Sequence, residues 1–192
     1  MSLPHLPLST MLLRSLPNLI TAARLALVPF VVWGIAREAW GTAFLLFAVA
    51  GLSDGIDGVL ARRYGLASRL GAILDPLADK ALMLAVLVSL TLAGLVPPWF
   101  PAVLVARDAL IVVGAALARR AGRPLETPPL AIGKFNTAGQ IAFLAWLLGS
   151  RALGIAAVGA EAVVMPVLAG LSVASAVAQG LAAWRGGAAT GR

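Results

Sequence analysis

Apolar residues run along this chain in six long blocks, at 18–36, 41–62, 69–93, 99–119, 134–149 and 156–183. Short polar clusters separate them: Arg37-Glu38, Arg62 to Ser68, Pro97-Pro98, Arg119 to Gly133 and Ser150 to Gly154. No block alternates with the two-residue period of a half-buried strand. A helix crossing a bilayer takes about 20 apolar residues, and all the blocks except the fifth approach or exceed that length. The pattern predicts an all-α polytopic integral membrane protein of six transmembrane helices in a single domain, 1–192. Residues 1–16 lack the apolar core and small-residue cleavage site of a secretory signal. They read as a lead-in, with a short interfacial helix over 5–16. The Gly/Ala-rich end, 186–192, reads as a flexible tail.

Composition sharpens this picture. Of 192 residues, 60% are hydrophobic and 12% charged, about half the charge of a soluble domain. Mean hydropathy is +0.95, which excludes a disordered chain and argues against a water-soluble globule. There is no cysteine and one histidine, His5 near the N-terminus, so neither disulfides nor thiolate chemistry is available. The formal charge of +7 fits anionic lipid headgroups and an orienting bias better than nucleic acid. Arg14, Arg62, Arg63, Arg69, Arg119, Arg120, Arg123, Lys134, Arg185 and Arg192 fall on one side of the six-span arrangement, and only Arg37 and Arg151 on the other. The bias predicts both termini and the two basic loops on the cytoplasmic face of a membrane, the inner membrane if the source is bacterial. Arg24, Lys80 and Arg107 fall inside spans and need a reason.

Five of the eight acidic residues, Asp54, Asp57, Asp75, Asp79 and Asp108, also lie in or at the ends of spans. An Asp at mid-bilayer costs about 2.5–3.5 kcal/mol, so each is a functional candidate. Asp108, beside Arg107, reads as an ion pair joining helices. For the other four the spacing is decisive. Asp54 and Asp57 are three apart at the cytoplasmic end of block two, and Asp75 and Asp79 four apart at the cytoplasmic end of block three, so each pair shares a helix face. On antiparallel neighbours the two faces converge, and four carboxylates at one place demand cations. Oxygen-only donors select Mg²⁺ or Mn²⁺, and four carboxylates suffice for two ions clamping a phosphoryl group. Gly58 and Gly71 permit close approach of a ligand or a helix. Arg62 projects one turn beyond Gly58 and is suited to phosphate oxygens. Ser68 caps the third block, where helix amides attract phosphate.

Together, Asp54-x-x-Asp57-Gly58-x-x-Ala61-Arg62, eight residues, and Gly71-x-x-x-Asp75-x-x-x-Asp79 resemble the signature of the CDP-alcohol phosphotransferase family at every position. The six spans and the upstream run Pro17-Asn18-Leu19-Ile20-Thr21-x-x-Arg24 extend the likeness. The resemblance implies transfer of a substituted phosphoryl group from a CDP-linked donor to an alcohol, with release of CMP. It implies Asp54, Asp57, Asp75 and Asp79 as ligands of two divalent ions, with Asp79 also the general base. It implies Gly58, Ala61, Arg62, Ser68 and Gly71 lining the nucleotide site, with Asn18 and Thr21 nearby. Homodimers are common in the family.

With CDP-diacylglycerol as donor, the acceptor is expected to meet polar residues outside the signature: Arg107, Arg119, Arg120, Arg123, Lys134 and Asn136. The run Gly133-Lys134-Phe135-Asn136-Thr137-x-x-Gln140 resembles a Lys-x-Lys-Thr-x-x-Gln run of phosphatidylglycerophosphate synthases, with Asn136 replacing the second Lys. Loss of that cation suits phosphatidylglycerol, a monoanionic phosphodiester, and the chain is similar here to cardiolipin synthases of the CDP-alcohol type. The alternatives are glycerol 3-phosphate as acceptor and, more remotely, a non-catalytic cation transporter using the acidic cluster as its ion site.

Overall fold

The computed structural model describes the backbone of residues 8–64, 71–120, 131–155 and 159–189, and the side chains of 19–53, 74–120, 132–155 and 159–181. Six helices make up the described fold: α1 (Leu8–Ala36), α2 (Trp40–Tyr64), α3 (Gly71–Leu92), α4 (Trp99–Arg120), α5 (Ala131–Ala152) and α6 (Ala160–Ala189). There is no strand among the described residues. Each predicted block lies on one helix, with three differences at the edges, one of them that α6 runs on to Ala189, through the first residues of the expected flexible tail 186–192. α1 reaches back to Leu8, so the expected interfacial helix is continuous with the first span. The run is rich in strong helix formers such as Leu, Met and Ala, and the helix passes through Pro17 and Pro29. α5 is longer than its apolar block at both ends and takes in Ala131 to Gly133 and Ser150 to Ala152. Three helical stretches, Leu19–Ala36, Trp99–Arg120 and Ala160–Leu181, are long and apolar enough to cross a membrane, and Trp40–Ser53 is a shorter apolar helix.

Three tight turns end α1, α3 and α5, and each follows the same physical recipe. A residue with positive φ ends the helix, and the next N–H bonds back to a carbonyl five residues earlier, which satisfies an orphan acceptor. Ala39 donates to Gly34 O (2.8 Å), Leu95 to Leu90 O (2.9 Å) and Ile155 to Ser150 O (2.9 Å). Gly94 (φ 74°) and Gly154 (φ 66°) provide the left-handed residue in the second and third turns, and Glu38 (φ 56°) in the first. Gly34 also lets α2 close onto α1, since a Cβ there would lie 3.2 Å from that of Ala43. The segments 65–70 and 121–130 connect the opposite ends of the helices.

α1 packs against both α2 and α3, α2 against α5, and α6 against α4 and α5, while α3 meets α4 and α5 only sparsely. Val31, Ile35, Phe47, Val86, Leu90, Leu144, Leu147 and Leu148 form the core. Phe100 and Phe143 meet edge to face with centroids 5.7 Å apart. Large apolar side chains also face outward on every helix, among them Phe30, Leu45, Leu77, Leu110, Leu117, Trp146, Val163 and Leu181. An outer surface of this kind is stable against hydrocarbon and not against water.

Candidate active site

One face of α1 organises the acid-bearing helices. Thr21 and Arg24 are three residues apart and both buried, at 4% and 1% exposure, so they share the side of α1 turned into the protein. The Thr21 hydroxyl donates to Asp75 Oδ1 across the α1–α3 contact. Arg24 Nε donates to the Ala50 carbonyl of α2 at 3.2 Å, and Ser53 Oγ donates to the same carbonyl at 2.9 Å. Asp54 and Asp57 follow in the next turns of α2, and Asp79 lies one turn beyond Asp75 on α3. The turn of α3 that carries Asp75 and the turn of α2 just before Asp54 thus both dock on α1. Thr21, expected near the nucleotide, is bonded to a carboxylate of the motif. The side chains of Asn18, Asp54, Asp57, Gly58, Ala61, Arg62 and Gly71 lie outside the described residues, as do Ser68 and Arg123 altogether.

A second polar cluster links α3, α4 and α6. Lys80, next to Asp79, pairs with Asp108 Oδ2 of α4. Arg107 Nη1 donates to Asp108 Oδ1 at 2.7 Å and Nη2 to Ser175 Oγ of α6 at 2.9 Å. Gln179 Nε2 donates to the same hydroxyl at 3.1 Å. Arg107 Nε is buried and has no hydrogen-bond partner among the described residues. One carboxylate between two cations leaves a net positive charge beside the acidic motif. Gly133 permits this arrangement: a Cβ there would lie 3.1 Å from Gln179 Nε2 and 3.5 Å from Arg107 Nη2. The expected Arg107–Asp108 pair is present, and Lys80 extends it across α3 and α4.

Asn136 belongs to a third cluster. It is 1% exposed, and Ser172 opposite it is fully buried. Asn136 Nδ2 donates to Ser172 Oγ at 2.8 Å, the hydroxyl donates back to Asn136 Oδ1 at 3.2 Å, and Gln140 Nε2 donates to that hydroxyl at 3.2 Å. Asn136 therefore fastens α5 to α6. Lys134, by contrast, is exposed near the start of α5, and Arg119 and Arg120 are exposed at the end of α4, where cations complement the helix dipole.

The network makes an asymmetric prediction. Ser172→Ala strands both polar groups of Asn136 and the amide of Gln140, whereas Asn136→Ala leaves Ser172 with Gln140. Interhelical bonds in membranes contribute about 0.6–2 kcal/mol, and a stranded buried group costs about 1–3 kcal/mol. Ser172→Ala is therefore expected to lower the melting temperature in lipid nanodiscs more than Asn136→Ala, and the reverse order would contradict this wiring.

Sequence reasoning singled out Arg107, Asp108 and Asn136 but passed over their partners on α6. The signal was available: Ser172, Ser175 and Gln179 stand at spacings of three and four in an otherwise apolar helix, which makes one polar stripe.

The donors described around the motif are carboxylates and a hydroxyl, and the chain has no cysteine and only His5. That oxygen set fits a hard divalent ion such as Mg²⁺ or Mn²⁺ and not a zinc-type site. Asp75, held through one oxygen by Thr21, retains lone pairs for a metal.

Comparison with known proteins identifies the family. The model of the CDP-alcohol phosphatidyltransferase family matches residues 14–177, a segment that holds all three clusters apart from Gln179. A cardiolipin synthase (CMP-forming) of Streptomyces coelicolor is 42% identical over 116 residues, covering 57% of this chain and 54% of that protein. A human cardiolipin synthase (CMP-forming) is 34% identical over 149 residues, 68% of this chain and 49% of that protein. A chloroplastic CDP-diacylglycerol–glycerol-3-phosphate 3-phosphatidyltransferase 1 of Oryza sativa subsp. japonica is 41% identical over 105 residues, 55% and 32%. The chain thus aligns with about half or less of each relative's length. The acidic motif, the two helices that carry it and their docking face on α1 all fall within the matched segment, and the chain belongs to the CDP-alcohol phosphatidyltransferase family.

Proposed function

We propose that this chain is a membrane-bound, metal-dependent transferase that moves the phosphatidyl group of CDP-diacylglycerol to an alcohol acceptor and releases CMP, with phosphatidylglycerol as acceptor and cardiolipin as product. The observation that carries the chemistry is that one face of α1 holds Asp75 through Thr21 and the turn of α2 before Asp54 through Arg24. Asp54, Asp57, Asp75 and Asp79 would hold two Mg²⁺ or Mn²⁺ ions, whose charge neutralises the pyrophosphate and improves CMP as a leaving group. Gly58, Ala61, Arg62, Ser68 and Gly71, with Asn18 close by, form the nucleotide and pyrophosphate site. Asp79 takes the proton of the acceptor hydroxyl. The hydroxyl oxygen bonds to the lipid-bearing phosphorus as the phosphorus–oxygen bond to CMP breaks.

Acceptor recognition is assigned to the cation-rich side: Arg107, Lys134, Arg119, Arg120 and Arg123. The Lys80–Asp108–Arg107 cluster carries a net positive charge suited to an anionic phosphodiester, and the neutral Asn136, paired with Ser172, stands where a second Lys would add another cation. Two cardiolipin synthases among the relatives support that acceptor. The rice relative keeps glycerol 3-phosphate as the second reading. The enzyme is further proposed to work as a homodimer in a bacterial inner membrane, with its site and both termini on the cytoplasmic side.

The test is CMP release by purified protein in mixed micelles, with CDP-diacylglycerol, Mn²⁺ or Mg²⁺, and one acceptor at a time. Release with phosphatidylglycerol and a four-chain product is expected. Release with glycerol 3-phosphate alone would overturn the acceptor while leaving the transfer chemistry intact.

A further inference from the structure

Arg24 is a nearly fully buried guanidinium, 1% exposed, and the transfer chemistry gives it no task. A charge in such a place persists only where anions and hydrogen bonds compensate it. The groups around it point to what it does. Its Nε bonds to the Ala50 carbonyl, which in helix α2 is also the acceptor one turn before Asp54, for that residue's N–H. Three residues earlier on the same face, Thr21 bonds to Asp75. A long side chain on a helix leans back toward its N-terminus, so the guanidinium leans toward the level of Thr21 and Asp75. One face of α1 therefore grips each acid-bearing helix: α3 through a carboxylate, and α2 through the backbone turn that sets the direction of Asp54.

We infer that Arg24 is a positioning residue of the acidic cluster: it fixes the turn of α2 that carries Asp54 and supplies a resident positive charge between α2 and α3. The inference rests on the reading of the four aspartates as a metal site, and it adds what holds them in register before ions and substrate arrive. Arg24 itself, buried inside the helix contact, does not touch the substrate.

The test uses the full chain in nanodiscs and compares wild type, Arg24→Gln and Arg24→Lys by melting temperature with and without Mn²⁺ and by steady-state CMP release. For Arg24→Gln, kcat per folded molecule is expected to fall about tenfold at saturating Mn²⁺ with the KM for CDP-diacylglycerol within about twofold. Its melting temperature should drop most without metal, where the carboxylates lose their countercharge, and Mn²⁺ should recover more of the loss than it adds to wild type. Arg24→Lys keeps the charge but loses the fork, so its metal-free melting temperature should stay near wild type while kcat lies between the other two. If Arg24→Gln does not fold, a severalfold loss of kcat in Arg24→Lys at unchanged donor KM supports the inference, and wild-type kcat there overturns it. An equal drop in melting temperature with and without Mn²⁺, together with unchanged turnover per folded molecule, marks a purely structural arginine and overturns it. Failure of Mn²⁺ to stabilise even the wild type overturns the metal reading, and this inference with it.

Discussion

Asp79→Asn is expected to lower CMP release by about 10²–10⁴-fold, the range that a positioned general base contributes, while the protein still folds and binds CDP-diacylglycerol. Asparagine has nearly the shape of aspartate, so α3 need not repack around it, and the neighbouring Lys80–Asp108 pair survives. It cannot accept a proton from a hydroxyl at neutral pH. Asp79 is also assigned as a metal ligand, so the measurement pairs turnover with Mn²⁺ binding followed by electron paramagnetic resonance. A loss of turnover well beyond the loss of Mn²⁺ affinity identifies the base. Equal losses reduce Asp79 to a ligand, and retained turnover removes it from the chemistry.

Asp75 is tested by contrast with the group that holds it. Asp75→Asn removes a ligand charge, so Mn²⁺ and nucleotide affinity should fall together and turnover by at least about 10²-fold, without recovery at high Mn²⁺. Thr21→Val keeps the carboxylate and removes only the hydrogen bond that orients it. Partners of metal ligands typically contribute about 10–100-fold in metal affinity, so this variant should need more Mn²⁺ and regain most of its turnover when saturated. Thr21 is buried on a helix face packed against α3, and valine nearly matches its shape, so a folding defect is not expected to mask the result. Unchanged metal dependence in Thr21→Val would return Thr21 to the nucleotide-site role that the family resemblance implied.

Much of this protein is legible along the chain. The six apolar blocks predict the helices to within a few residues at most ends, because hydrocarbon requires every backbone group to be bonded within its own segment. The acidic motif is equally legible, since charges at fixed helical spacing in apolar blocks are too costly to be incidental. The exceptions have local causes. The lead-in joined α1 because its run of strong helix formers carries the helix through Pro17 and Pro29, and α5 starts three residues before its apolar block because Ala131 and Ile132 are themselves apolar. Glu38 adopts a left-handed conformation that residue type alone disfavours, since the close approach of α2 at Gly34 and the bond from Ala39 to Gly34 over-determine the turn.

What the sequence by itself determined is therefore everything that depends on local cost: six helices, an outer surface for lipid, and two acidic pairs, each on one helix face. Only the tertiary structure decided which groups meet. It turned Thr21 toward Asp75, 54 residues away, tied Arg24 to the backbone of α2, joined Lys80 to Asp108, and buried Asn136 against Ser172 on α6. The reason is geometric. A polar residue in an apolar helix announces that it needs a partner, but the partner lies on another helix, and helix rotation and crossing settle which of several candidates comes within 3 Å or so.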